Sequence, residues 1–158
     1  MICQQENMLG EDFYCIIQHD SCLSINFKGV YAANELPSQL PVRGLAIVNC
    51  CNRNKPGKHW IALCQESEST LEMFDSFGFG PEMYNLENKL PKSEIIKYNS
   101  KQLQHPTSEV CGYYCLYYCY FKSRGHSMEE IVSVNFSNDT QNNDYRLCKL
   151  FKKLFNLK

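Results

Sequence analysis

The run VCGYYCLYYCYF, residues 110–121, carries no charge on any face. A helix with that composition is buried all round, so the rest of the chain has to wrap it. It is too short to cross a membrane, which takes about 17–25 apolar residues. The chain has 158 residues, 44% of them hydrophobic and 21% charged, enough for one compact domain around a single core. No repeat, low-complexity tract or long linker divides it, so a single domain over 1–158 is expected. The formal net charge of −1 excludes polyanion binding by bulk charge; a nucleic-acid contact would need a local basic patch.

The elements around that helix follow from patterning. FYCII, 13–17, leans to helix. Residues 27–43, with Gly29, Pro37 and Pro41, predict an irregular connection. LAIVN (45–49), HWIALC (59–64) and TLEMFD (70–75) predict a three-stranded meander, with the turn formers of 50–58 inside it. EIIKYNS, 94–100, is a fourth strand candidate. QHPTSEV, 104–110, is a loop with helix-start chemistry, Thr107 and Ser108 being the N-cap candidates. HSMEEIVSV, 126–134, predicts a helix capped by Ser127, with Glu130 at the capping-box position. SNDTQNN, 137–143, reads as a polar loop. Leu147, Leu150, Phe151, Leu154 and Phe155 then form a stripe of helical period.

Ten cysteines, at 3, 15, 22, 50, 51, 64, 111, 115, 119 and 148, would suit a disulfide framework in a secreted chain. The N-terminus, MICQQENMLGEDFYC, lacks a basic start, a long apolar stretch and a small-residue cleavage site. The expectation is therefore a chain that is not secreted, with most cysteines reduced and buried and at most a disulfide or two. Cys111, Cys115 and Cys119 fall at i, i+4 and i+8. One continuous helix does not easily converge three thiolates on an ion, so no metal is expected.

Thiol catalysis requires a thiolate, an adjacent base, a group that fixes the base, and an oxyanion donor. Cys111, three residues after Ser108, falls in the first turn of the buried helix, where free N–H groups and the helix dipole favour a thiolate. Gly112 beside it permits close backbone approach. His59 opens a strand before Trp60, the only tryptophan. Asp75 ends a neighbouring strand, where a carboxylate can hold an imidazole tautomer. Gln104, seven positions before Cys111, offers an amide donor. Each of these alone has an ordinary structural explanation, and composition does not choose among His19, His59, His105 and His126.

The ordered blocks KHWIAL, FDSFGFG and LQHPTSEVCGYYC, preceded by GLAIVN, resemble the adenovirus-type maturation peptidases (adenain-like) and their relatives in virus-like transposable elements. That family shows Gly-x-His-Trp, an acidic residue followed closely by Phe-Gly, and Gln with Cys-Gly seven residues later. Here these are Gly57 to Trp60, Asp75 with Phe77 and Gly78, and Gln104 with Cys111 and Gly112; the likeness covers roughly 27–122. It implies an α+β fold, with a mixed or antiparallel central sheet against a buried helix that starts at the nucleophile. It implies Cys111 as nucleophile, His59 as base, Asp75 as third member and Gln104 in the oxyanion hole, with Trp60 and Gly112 lining the substrate channel.

The more distant likeness is to deconjugases of ubiquitin-like modifiers, which use Asp where adenovirus enzymes typically carry Glu. The implied substrates are viral structural precursors cut after small residues or glycine, in the host nucleus, the cytoplasm or the virion. The alternatives are a deconjugase, or a non-catalytic virion or interaction protein that keeps the fold. Adenovirus enzymes use DNA and a disulfide-linked peptide as activators, but residues 88–103 contain no cysteine to take that peptide. No cofactor is therefore required, and a DNA or peptide activator is left open. Arg146, Lys149, Lys152, Lys153 and Lys158 make a basic C-terminal face. It reads first as a solvated surface and second as a weak nucleic-acid contact. A monomer without membrane association is expected.

Overall fold

The computed structural model describes residues 8–51 and 59–155. In chain order the elements are α1 (Gly10–Ile17), α2 (Ser21–Asn26), β1 (Phe27–Ala32), β2 (Leu45–Asn49), β3 (Trp60–Gln65), β4 (Thr70–Phe74), β5 (Ile95–Tyr98), α3 (Cys111–Ser123), α4 (Met128–Ser133) and α5 (Thr140–Leu154). Short 3₁₀ turns follow β1 and β4. The five strands form one sheet in sequence order, β1-β2-β3-β4-β5. Its centre, β2-β3-β4, is antiparallel, and the two outer pairs, β1-β2 and β4-β5, are parallel. The architecture is therefore α+β with a mixed sheet, as the resemblance implied.

Helix α3 lies across one face of the sheet, mainly against β3, with α2, α4 and α5 around it. Leu45, Ile47, Ala62 and Phe74 point toward it, and Phe74 stacks on Tyr118 with ring centroids 4.8 Å apart. Ala46, Val48, Ile61, Leu63, Leu71 and Met73 point the other way, under Leu40, Leu86 and Leu90. The central strands are thus buried on both faces, which is why LAIVN and WIALC read as unbroken apolar runs. The far end of α3 holds a buried polar cluster. Tyr118 Oη donates to Glu72 Oε1 at 2.5 Å, and Lys122 Nζ pairs with Glu72 at 2.9 Å and with Glu66.

Two expectations of element placement fail. Residues 27–32 are a strand, not part of an irregular connection. FKGVYA pairs in parallel with β2 through a register shift after Phe27, an outcome its local composition does not announce. The polar stretch 137–143 is a loop only to Asp139, whose side chain accepts from Asn142 N and starts α5 at Thr140. Ser127 caps α4 by accepting from Glu130 N, as expected. Eight of the described cysteines are free thiols, and Cys148 is disulfide-bonded.

Candidate active site

The site forms where the start of β3, the end of β4 and the start of α3 meet. Among the four histidines, His59 alone is buried. Its Nε2 lies 2.6 Å from Asp75 Oδ1, which leaves Nδ1 for the hydrogen bond between its ring and the Cys111 thiol. Burial works against a charge on this imidazole. The hydrogen bonds and charges of Asp75 and Cys111 outweigh it and raise the ring to about 9. At neutral pH His59 is therefore an imidazolium wedged between two acidic groups.

Asp75 is fully buried and has four donors besides its own peptide bonds. Oδ1 accepts from His59 and from Phe77 N at 3.0 Å; Oδ2 accepts from Phe79 N at 3.1 Å and from Tyr84 Oη at 2.6 Å. Asn99 fixes the Asp75 backbone on both sides, accepting from its N–H at 2.9 Å and donating to its carbonyl at 2.6 Å. The turn that aims those two amides needs Gly78. Its φ is +77°, and a Cβ there would stand 2.8 Å from the backbone of Ser100 and Lys101. Phe77 and Tyr84 stack against the His59 ring at 4.8 and 5.3 Å, closing it off from water. Burial and the Asp75 charge push the Tyr84 hydroxyl far above its usual range, so it remains a donor.

Cys111 is the first residue of α3. Ser108 does not cap the helix as expected. The preceding residue is Val110, at φ −102° and ψ 17°, and no side chain caps the terminus. Ser108 instead donates its hydroxyl to His105 O at 3.1 Å and accepts from Gln104 Nε2 at 2.8 Å through its carbonyl. The turn over 105–108 carries Ser108 away before the helix begins. A helix terminus without a side-chain cap presents its first N–H groups to whatever lies beside Cys111.

Gln104 is buried, its Oε1 accepting from Ser76 Oγ at 2.6 Å. An amide NH₂ carries two hydrogens, so the Ser108 contact orients Gln104 without exhausting it. The 103–108 loop is itself pinned by α5. Asn143 Nδ2 donates to Leu103 O at 3.1 Å and to Ser137 O at 2.8 Å, and the Asp144 carboxylate lies 3.3 and 3.4 Å from His105 N. Tyr114 Oη donates to Asp144 Oδ1 at 2.8 Å, tying the same loop to α3.

The family model of the adenovirus endoproteases matches residues 27–144. The chain belongs to the adenovirus endoprotease family. Among curated relatives, a protease of Bovine adenovirus C serotype 10 is 35% identical over 85 residues, covering 44% of this chain and 43% of its own. A protease of Porcine adenovirus A serotype 3 is 34% identical over 90 residues, covering 47% and 44%. The chain thus spans less than half the length of these two relatives. Among solved structures, an ASFV protease is 20% identical with a TM-score of 0.41, covering 66% of this chain and 42% of that one.

Of the residues singled out in the sequence, His59, Asp75 and Cys111 come together in this family member, with Gln104 on the adjoining loop. Trp60 and Gly112 lie next to them, but what they meet is the chain's own N-terminal segment. Trp60 is buried, its Nε1 donating to Met8 O at 2.9 Å and its ring edge-on to Phe13 at 5.0 Å. Gly57 and Lys58 of the His-Trp block, like Lys158 of the basic run, lie outside the described residues. Arg146, Lys149, Lys152 and Lys153 occupy the outward, exposed face of α5. Among the described residues, no helix is long and apolar enough to cross a membrane.

Sequence reasoning missed Tyr84, Asn99, Ser76 and Asn143. The only signal for any of them is proximity: Ser76 follows Asp75 directly, whereas the others arrive from distant loops and helices.

Proposed function

We propose that this chain is a cysteine endopeptidase of viral or virus-like origin that cleaves structural precursor proteins after small residues, glycine above all. The observation that supports this best is the His59 ring held between the Asp75 carboxylate and the Cys111 thiol. The Cys111 thiolate attacks the scissile carbonyl. The Cys111 N–H and the Gln104 amide hold the oxyanion as the tetrahedral intermediate forms. His59, already protonated, gives its proton to the leaving amine, and Asp75 keeps the ring aligned throughout. Water, with its proton taken by the now neutral His59, hydrolyses the thioester and restores the starting state. The exposed basic face of α5 is where a polyanion such as DNA would make contact.

The test is cleavage of a glycine-containing fluorogenic peptide by the purified chain and by Cys111→Ala. The variant should lose at least about four orders of magnitude in turnover. Turnover that survives the substitution would sink the assignment. A probe made of a di-glycine-ended modifier separates the deconjugase alternative. Labelling of Cys111 by that probe, without cleavage of capsid-type precursors, would favour it.

A further inference from the structure

Cys111 is only 2% exposed, although a nucleophile has to be reached. Met8 and Phe13 pack against Gly112, the residue after Cys111. Met8 is 5% exposed while Leu9, next to it, is 69% exposed, so one side chain of this stretch is buried and its neighbour faces water. The Met8 carbonyl takes the indole N–H of Trp60. Its side chain packs onto Gly112 so closely that a Cβ on that glycine would stand 3.0 Å from Met8 Cβ and 3.2 Å from Met8 Sδ. Phe13 closes the same spot at 3.1 Å. Met8, backed by Phe13, thus fills the space between Trp60 and the backbone directly following the nucleophile.

We propose that Met8 is a self-occupying gate. It holds the position beside Trp60 that a substrate backbone takes on its way to Cys111, and it must be displaced for turnover. The inference rests on the peptidase reading above and deepens it. A carbonyl hydrogen-bonded to the indole and a flexible thioether against a glycine are both groups that an incoming peptide can replace: one carbonyl for another, one apolar contact for another. The opening is small, because α1 stays anchored through Phe13 and Ile17, both buried. Access to Cys111 is then set by the strength of two contacts, the Trp60–Met8 hydrogen bond and the Met8–Gly112 packing. A substrate residue without a side chain next to the cut displaces Met8 at least cost, so the gate also favours glycine there.

The test reads thiol access, not peptidase turnover, so the two readings fail separately. The folded chain is treated with iodoacetamide and the rate of alkylation is followed by mass spectrometry at Cys111. The wholly buried Cys115 serves as internal control for unfolding. Met8→Ala removes the packing, and Trp60→Phe removes the indole N–H while keeping a ring. Alkylation of Cys111 should rise about tenfold in Met8→Ala and about three- to tenfold in Trp60→Phe, the latter being the worth of one hydrogen bond. Cys115 should stay unlabelled in both. Cys111 rates equal to that of the unaltered chain in both variants would overturn the gate. If Met8→Ala also exposes Cys115, Trp60→Phe decides alone: a selective rise at Cys111 supports the gate, and an unchanged rate rejects it. Absence of peptide cleavage alongside the selective rise would count against the peptidase reading and leave the gate standing.

Discussion

A histidine as deep as His59 would ordinarily lose its proton to desolvation, and here two acidic partners reverse that outcome. Its value in the folded chain, about 9, is above the ordinary 6.5, so the group stabilises the fold fully below pH 6.5. That contribution falls as pH rises from 6.5 toward 9 and is gone above it, amounting to roughly 3 kcal/mol at most. An NMR titration of the ring should give a midpoint near 9, and Cys111→Ala should lower it by removing one of the two partners. A midpoint near 6.5 in the unaltered chain would mean that no ion pair forms.

Gly78 is the other residue whose role is set by geometry alone. Gly78→Ala puts a Cβ into a left-handed backbone and against the 100–101 peptide. The substitution should cost roughly 2–4 kcal/mol in a urea melt. It should also weaken catalysis by turning the Phe77 and Phe79 amides away from Asp75. A melt unchanged from that of the parent would contradict the close approach.

At the level of elements, the strands that carry His59 and Asp75 were legible because apolar runs bounded by turn formers have few other places to go. The uncharged helix was legible for the same reason. The start of α3 was not. Ser108 has the right chemistry at the right distance, yet a cap depends on dihedrals two residues later, and those are set by Gln104 and α5. Strand β1 was hidden because parallel pairing with β2 is a long-range choice that FKGVYA does not encode locally.

His59, Asp75 and Cys111, which the fold brings together, stood out by their order along the chain. Their supports, Tyr84, Asn99 and Asn143, are scattered polar residues that only the fold assembles. Asn143 shows what such a support is worth: its amide bonds Leu103 O and Ser137 O while accepting from Ser137 N at 2.8 Å. Asn143→Leu keeps the size and strands those groups without partners. A loss of about 2–4 kcal/mol is expected. kcat/KM should fall about tenfold as the loop bearing Gln104 loosens; unchanged kinetics would show that α5 does not position it.

Across the whole molecule, the candidate site and the Lys122 cluster sit at opposite ends of α3. Carboxylates on both sides keep the Lys122 ammonium above the usual lysine range in spite of burial. Lys122→Ala leaves Glu72 buried without its cation and should cost about 3–5 kcal/mol. The loss should appear as a lower Tm, and Glu72→Gln in the same background should recover part of it. No recovery would mean that packing of the lysine stem, and not charge, was lost.

The burial of β2, β3 and β4 on both faces bears on how the proposed peptidase would survive its own company. His59 and Asp75 hang from the ends of strands buried on both faces, the kind of element whose amides open last. A peptidase concentrated among identical copies is constantly offered itself as food. Segments that stay closed cannot be threaded through a neighbour's cleft, so under the proposed activity the part of this chain that would do the cutting is also the part hardest to cut.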